Sequence, residues 1–192
     1  MKQTIRFGLV LLISTALAGG ILAYANSITA PIIAERQKAG SFSAFQELFT
    51  EADDFAALDE ALLLEITASN PGLLEVYEAK SGEETIGYAF KTLSTGFGGD
   101  IITIAGFNSD GTIAGIKVIQ NSETPSLGTR VVDDPAYAAS YVGKSSANEL
   151  VVVASPSADN EVQLLSGATV SSKGVLSGVN GAREAFVNFL SN

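Results

Sequence analysis

The chain has 192 residues, enough for one domain of ordinary size and too few for a large multidomain assembly. Its 21 Asp+Glu against 11 Lys+Arg give a net charge of -10, while 46% hydrophobic content with only 17% charged residues excludes a disordered acidic tail. The acidic excess argues against nucleic acid as a partner. The lack of Cys and His removes disulfides, cysteine-held iron–sulfur clusters, familiar zinc sites and His-based triads, so any redox chemistry falls to a bound organic cofactor.

Residues 7–24 read FGLVLLISTALAGGILAY, and no charged side chain stands between Arg6 and Glu35. About 20 apolar residues rising 1.5 Å each cross a hydrocarbon core of roughly 30 Å, and a helix satisfies its own backbone in lipid. Lys2 and Arg6 precede the segment and all 21 acidic residues follow it, which predicts a cytoplasmic N-terminus and an extracytoplasmic folded part. The expected location is the cell inner or cytoplasmic membrane, with a single pass. Ala23-Tyr24-Ala25 also suits signal peptidase, so a cleaved signal is the rival; both readings export the domain. A buried core helix would need a polar face, which this stretch lacks.

The expected organisation is an anchor over residues 1–33, a helical lead-in over 34–70 and an exported domain over 71–192. In the lead-in, Phe42, Phe45, Leu48, Phe49, Phe55 and Leu58 recur at spacings that suit amphipathic helices. Asn70-Pro71-Gly72 is a turn signal, followed by LLEVYEA and ETIGYAFKT as a hairpin. DIITIAGFN and TIAGIKVIQ around Ser109-Asp110-Gly111 predict a second antiparallel pair. Residues 136–142 suit a short helix and 150–154 a strand. Residues from 170 onward suit a terminal helix, with Ser171 or Ser172 available to cap its start. Strands between helices give an α+β class.

The segment Gln163-Leu164-Leu165-Ser166-Gly167-Ala168-Thr169-Val170-Ser171-Ser172 carries the most chemistry. Taken alone it is a hydroxyl-rich turn before a helix. It also suits a covalent acceptor at Thr169: Gly167 permits close backbone approach, Ala168 adds little bulk, and helix-start N–H groups bind phosphate oxygens. Both readings stay open on composition.

Ser166-Gly167-Ala168-Thr169 with its hydroxyl-rich helix start resembles the flavin-binding G subunits of Rnf electron-transport complexes and the related C subunits of sodium-translocating NADH:quinone reductases. Glu123-Thr124-Pro125-Ser126-Leu127-Gly128 is similar to a loop of that family that lies near the flavin. Gly96-Phe97-Gly98-Gly99, Gly87-Tyr88-Ala89-Phe90 and Tyr141-Val142-Gly143-Lys144 extend the resemblance over most of the chain. The resemblance implies an α+β FMN-binding domain behind a single transmembrane helix, with FMN covalently linked through its phosphate to Thr169. It further implies Ser166, Gly167, Ala168, Val170 and Ser171 around the phosphate, Glu123, Thr124, Leu127 and Gly128 near the flavin, and Lys173 offsetting phosphate charge. Thr129 and Arg130 divide between phosphate contact and a solvated loop. No catalytic residue and no metal ligand is implied.

The implied function is electron relay in a membrane-bound, ion-translocating ferredoxin:NAD oxidoreductase. Its implied partners are other membrane and iron–sulfur or flavin subunits, with a flavin transferase for maturation. A quinone-reductase C-type subunit, a standalone exported FMN carrier and a membrane-anchored structural or binding module are the alternatives. Three positions depart from the family pattern. Ser126 replaces a glycine and should need only an ordinary turn with local adjustment. Asn121 stands where His is frequent and loses a titrating group. Gln163 replaces an Asp that helps define the attachment sequence.

Overall fold

The computed structural model describes residues 2–191, with side chains throughout except at positions 2, 4, 34 and 36–39. Two compact units follow in chain order, Met1–Gly40 and Ser41–Asn192. The first is helical, and its helix α1 (Lys2–Leu48) runs on into the second. Within it Ile5–Ile33 contains an 18-residue window of mean hydropathy 2.0 and is long and apolar enough to cross a membrane. Its hydroxyls bond back to the helix, Ser14 Oγ and Thr15 Oγ1 each donating to the Leu11 carbonyl at 2.9 Å, which suits a lipid environment.

The second unit is built on a five-stranded antiparallel sheet of β1 (Asp54–Ala57), β2 (Leu73–Ser81), β3 (Glu84–Thr95), β4 (Asp100–Asn108) and β5 (Ile113–Gln120), in sequence order across the sheet. The two expected hairpins form, joined through β3 and β4 from Gly87↔Asn108 to Thr95↔Asp100. One departure falls in the lead-in. Asp54–Ala57 is a strand rather than helix, because pairing Phe55 with Ala79 at the sheet edge places its ring 5.6 Å from Phe45. Asp59 then caps α2 (Glu60–Ser69), accepting from the N–H groups of Ala61 and Leu62.

Both faces of the sheet are covered, which explains why β4 reads as a nearly continuous apolar run instead of an alternating one. On one face Ala44, Phe45 and Phe49, from the end of α1 and just beyond, pack with Ala79, Ala89 and Ile104. Glycines carve the seat: a Cβ on Gly106 would lie 3.0 Å from the Phe49 ring, and one on Gly115 would lie 2.8 Å from Leu48. The opposite face carries the main core and the terminal helix α5 (Thr169–Phe189), where Phe186 stacks on Phe107 at 5.3 Å. Gly174 and Gly178 let α5 sit directly on the end of β3, a Cβ at either meeting Thr95 O or Thr92 Oγ1 at 2.7 Å. That close approach brings the start of α5 beside the glycine-rich loop after β3.

Between β5 and α5 the chain forms two short helices, α3 (Arg130–Asp133) and α4 (Pro135–Ala139), and a parallel pair, β6 (Val151–Val153) with β7 (Glu161–Gln163). Neither α3 nor β7 is evident in the sequence pattern. Tyr137 and Tyr141 are fully buried, their hydroxyls 3.0 Å apart, and Tyr137 donates to the Ser172 carbonyl at 3.2 Å. Burial pushes both phenols far above their ordinary range, so they stay protonated and brace the first turns of α5.

Candidate functional site

Two loops and a helix start converge at Thr169. Gly167 takes φ +82°, a left-handed conformation suited to glycine, and turns the chain into α5. Ala168, not Ser171 or Ser172, is the N-cap, and no side chain caps the helix. The expected serine caps are engaged elsewhere: Ser172 Oγ accepts from the Leu165 N–H at 3.3 Å, and Ser171 Oγ donates to Glu123 Oε2 at 2.7 Å. Thr169 is therefore the first helical residue, exposed, at a helix start whose N–H groups lack a side-chain cap.

The loop after β5 closes over this start. Thr124-Pro125-Ser126-Leu127 has the pattern of a type II turn, with Pro at the second position, a positive φ at the third, and the Leu127 N–H donating to Thr124 O at 3.2 Å. Ser126 has φ +62°, the one positive-φ non-glycine among the described residues. This corrects the expectation of an ordinary turn: the third position of a type II turn requires a positive φ. Ser126→Gly should raise stability by about 1 kcal/mol, the cost of a left-handed non-glycine residue, as a higher Tm in thermal melts. An unchanged or lower Tm would show that the serine is unstrained. Thr129 Oγ1 accepts from the Ser126 N–H at 3.0 Å, so that hydroxyl serves the turn. Arg130 Nη1 donates to Ser166 O at 2.9 Å and clips the two loops together.

Phe97, Glu123, Thr124, Leu127 and Gly128 meet residues 167–171 around an open cavity of ≈ 230 Å³. Nine of the eleven residues anticipated for the site thus line one cavity. Ser166 is exposed and not part of that lining, and its carbonyl accepts from Arg130. Lys173 lines a separate groove of ≈ 600 Å³ with Asn70, Leu93 and Gly178. Phe97 was legible only as part of a glycine-rich segment; an aromatic residue between glycines, 74% exposed, is the signal that marks it. Asn121 accepts from the Glu123 N–H at 3.0 Å, and Gln163 lies in β7 with its amide donating to the Ala154 and Leu164 carbonyls. Glu123 is 6% exposed and hydrogen-bonded, so it is an internal tie of the site.

A hydroxyl at a helix start, apolar side chains at the cavity mouth and a glycine-lined loop all fall within the stretch that one family model matches. That model is the FMN-binding domain, and residues 96–184 match it. The chain is 37% identical over 97% of its length, and 93% of the relative's, to the G subunit of the Na(+)-translocating ferredoxin:NAD(+) oxidoreductase complex of Acetobacterium woodii. It is 29% identical to the G subunit of the proton-translocating ferredoxin:NAD(+) oxidoreductase complex of Clostridium ljungdahlii, over 93% of this chain and 89% of that one. The crystal structure of the C subunit of Na(+)-translocating NADH-quinone reductase from Parabacteroides distasonis shares the fold at a TM-score of 0.61 and 19% identity, over 82% of this chain and 96% of that one. The chain belongs to the family of G subunits of ion-translocating oxidoreductase complexes, membrane-associated through its apolar helix.

The residues present fit FMN. Phe97, Leu127 and Val170, 74%, 49% and 50% exposed, offer apolar surface to a flat ring system, and the uncapped N–H groups of α5 offer donors to a phosphate. A Cβ on Gly167 would meet Leu127 at 3.3 Å, so the bare backbone keeps the cradle open. The lining contains no Lys or Arg, and its one ionisable group is the acid Glu123.

Proposed function

We propose that this chain is an electron-relay subunit of a membrane-bound, ion-translocating ferredoxin:NAD oxidoreductase complex, carrying FMN covalently through a phosphoester to Thr169. The observation that carries the reading is the exposed Thr169 hydroxyl at an uncapped helix start, in an apolar cavity without a cation. A flavin transferase would install the ester by moving the FMN-phosphoryl group from an activated flavin pyrophosphate to Thr169 Oγ: the Oγ–P bond forms as the P–O–P bond breaks, and the other nucleotide half leaves as its monophosphate, the hydroxyl proton going to solvent. The bound flavin supplies electron acceptance and donation. The protein's part is to hold and orient. Residues 167–171 cradle the phosphate, Thr124 offers a hydroxyl at the rim, and Phe97 and Leu127 pack against the ring and exclude water.

One anchor, a cytoplasmic N-terminus and an extracytoplasmic flavin domain follow from Lys2 and Arg6 preceding the apolar segment. Ile5–Ile33 contains no acidic side chain and only Arg6 at its very start, so ion passage belongs to partner subunits. The relay is tested in native membrane vesicles: reduced ferredoxin should bleach the flavin absorbance of this subunit, and NAD+ should restore it. Flavin that stays oxidised while ferredoxin-dependent NAD+ reduction proceeds would exclude the relay role.

A further inference from the structure

We propose that Glu123 is the residue that sets the potential of the flavin site, acting as a fixed negative charge held in place beside the cavity. The inference rests on the FMN reading above. The Glu123 carboxylate is buried and lines the same cavity as Thr169. Oε1 accepts from the Gly98 N–H at 3.2 Å, and Oε2 accepts from the Ser171 hydroxyl at 2.7 Å. Two glycines make room for it, since a Cβ on Gly96 or Gly128 would collide with the carboxylate oxygens. Two neutral donors thus fix its position, and none of the ion pairs among the described residues includes it.

An acid tucked into a site built for an anionic cofactor works against binding, which makes its placement informative. Packing alone would be served by an uncharged amide. A carboxylate whose charge is moderated by two neutral donors but not cancelled by a cation keeps a net negative field on the cavity. Its field opposes the arrival of an electron and holds the carrier's midpoint potential down. The same hydrogen bonds tie the glycine-rich loop to α5, so Glu123 also positions Phe97 and Val170, the neighbours of its two partners. It is a positioning residue with an electrostatic consequence.

Glu123→Gln separates charge from geometry, because the Ser171 hydroxyl can turn to accept from the new amide while the Gln carbonyl still accepts from Gly98. The full chain is coexpressed with a flavin transferase, purified in detergent, checked for its adduct by intact mass and titrated potentiometrically. E123Q should carry flavin with a midpoint potential shifted positive of wild type. Ser171→Ala, which removes a donor from the carboxylate and leaves the charge less screened, should shift it the opposite way. Equal potentials for E123Q and wild type would overturn the proposal, as would a shift of the same sign in both variants, the mark of a brace alone. Should E123Q fail to fold, a positive shift in S171A overturns it by itself. Wild type without any flavin adduct would defeat the FMN reading and this proposal with it, whereas flavinylated wild type with an unmoved E123Q defeats this proposal only.

Discussion

Thr169→Ala should abolish covalent flavin. The variant chain, coexpressed with a flavin transferase, should run on a denaturing gel without flavin fluorescence while wild type fluoresces, and no neighbouring hydroxyl should compensate. Ser171 and Ser172 are both buried and engaged with Glu123 and the Leu165 N–H, and Ser166 lies before the Gly167 turn. Thr169→Ser keeps an exposed hydroxyl at the same helical position and should retain flavin. FMN added back to T169A should wash off readily, for two reasons. A helix start favours an anion by only about 0.3–1 kcal/mol at an exposed site, and the cavity offers Glu123 in place of a lysine or arginine. A fluorescent T169A band would assign the tether to another residue.

Phe186→Ala should cost about 3–5 kcal/mol, a larger stability loss than any other substitution described, because it empties the centre of the aromatic core. Phe186 is 1% exposed, stacks on Phe107 at 5.3 Å and lies 6.0 Å from Tyr88 and 6.5 Å from Phe90. For a domain of this size the loss corresponds to a Tm lowered on the order of 10 °C. The site should suffer with the fold, since Phe186 clamps onto the sheet the same helix that presents Thr169. Flavin incorporation in F186A should fall in step with its folded fraction. Phe97→Ala, removing an exposed ring, should move Tm by less than about 2 °C. Similar melting for F186A and wild type would mean that α5 does not pack on this sheet as described.

Much of this fold could be read from local pattern, and the reason differs from element to element. Strands β2 to β5 announce themselves through β-rich runs bounded by turn residues, and the terminal helix through apolar residues at helical spacing. Strand β1 was hidden because its partner, β2, lies beyond an intervening helix, and its Phe55 faces the same aromatic cluster that gives the preceding helix its spacing. Strand β7, three residues long and paired in parallel with β6, has too little sequence to show a period.

At the site, motif and geometry divide the work. The Ser-Gly-Ala-Thr segment and the Glu-Thr-Pro loop are legible as residues, but their meeting is a tertiary fact. The Glu123–Ser171 bond spans 48 residues and turns a serine that resembles a helix cap into a tie between loops. Ser126 shows the reverse case. Its departure from glycine is visible in sequence, yet only the backbone φ of +62° shows that the turn kept the conformation a glycine would choose. Lys173, one turn beyond Thr169 along α5, lines the groove beside Asn70, which adjoins the cavity through Val170, and is not among the residues that line the cavity itself.

Peptide mass spectrometry of the chain purified from its native membrane tests the phosphoester at Thr169. The peptide containing Thr169 should be heavier by FMN less one water, with fragment ions that locate the addition on that threonine. An unmodified Thr169 peptide from a preparation of active, intact complex would contradict it.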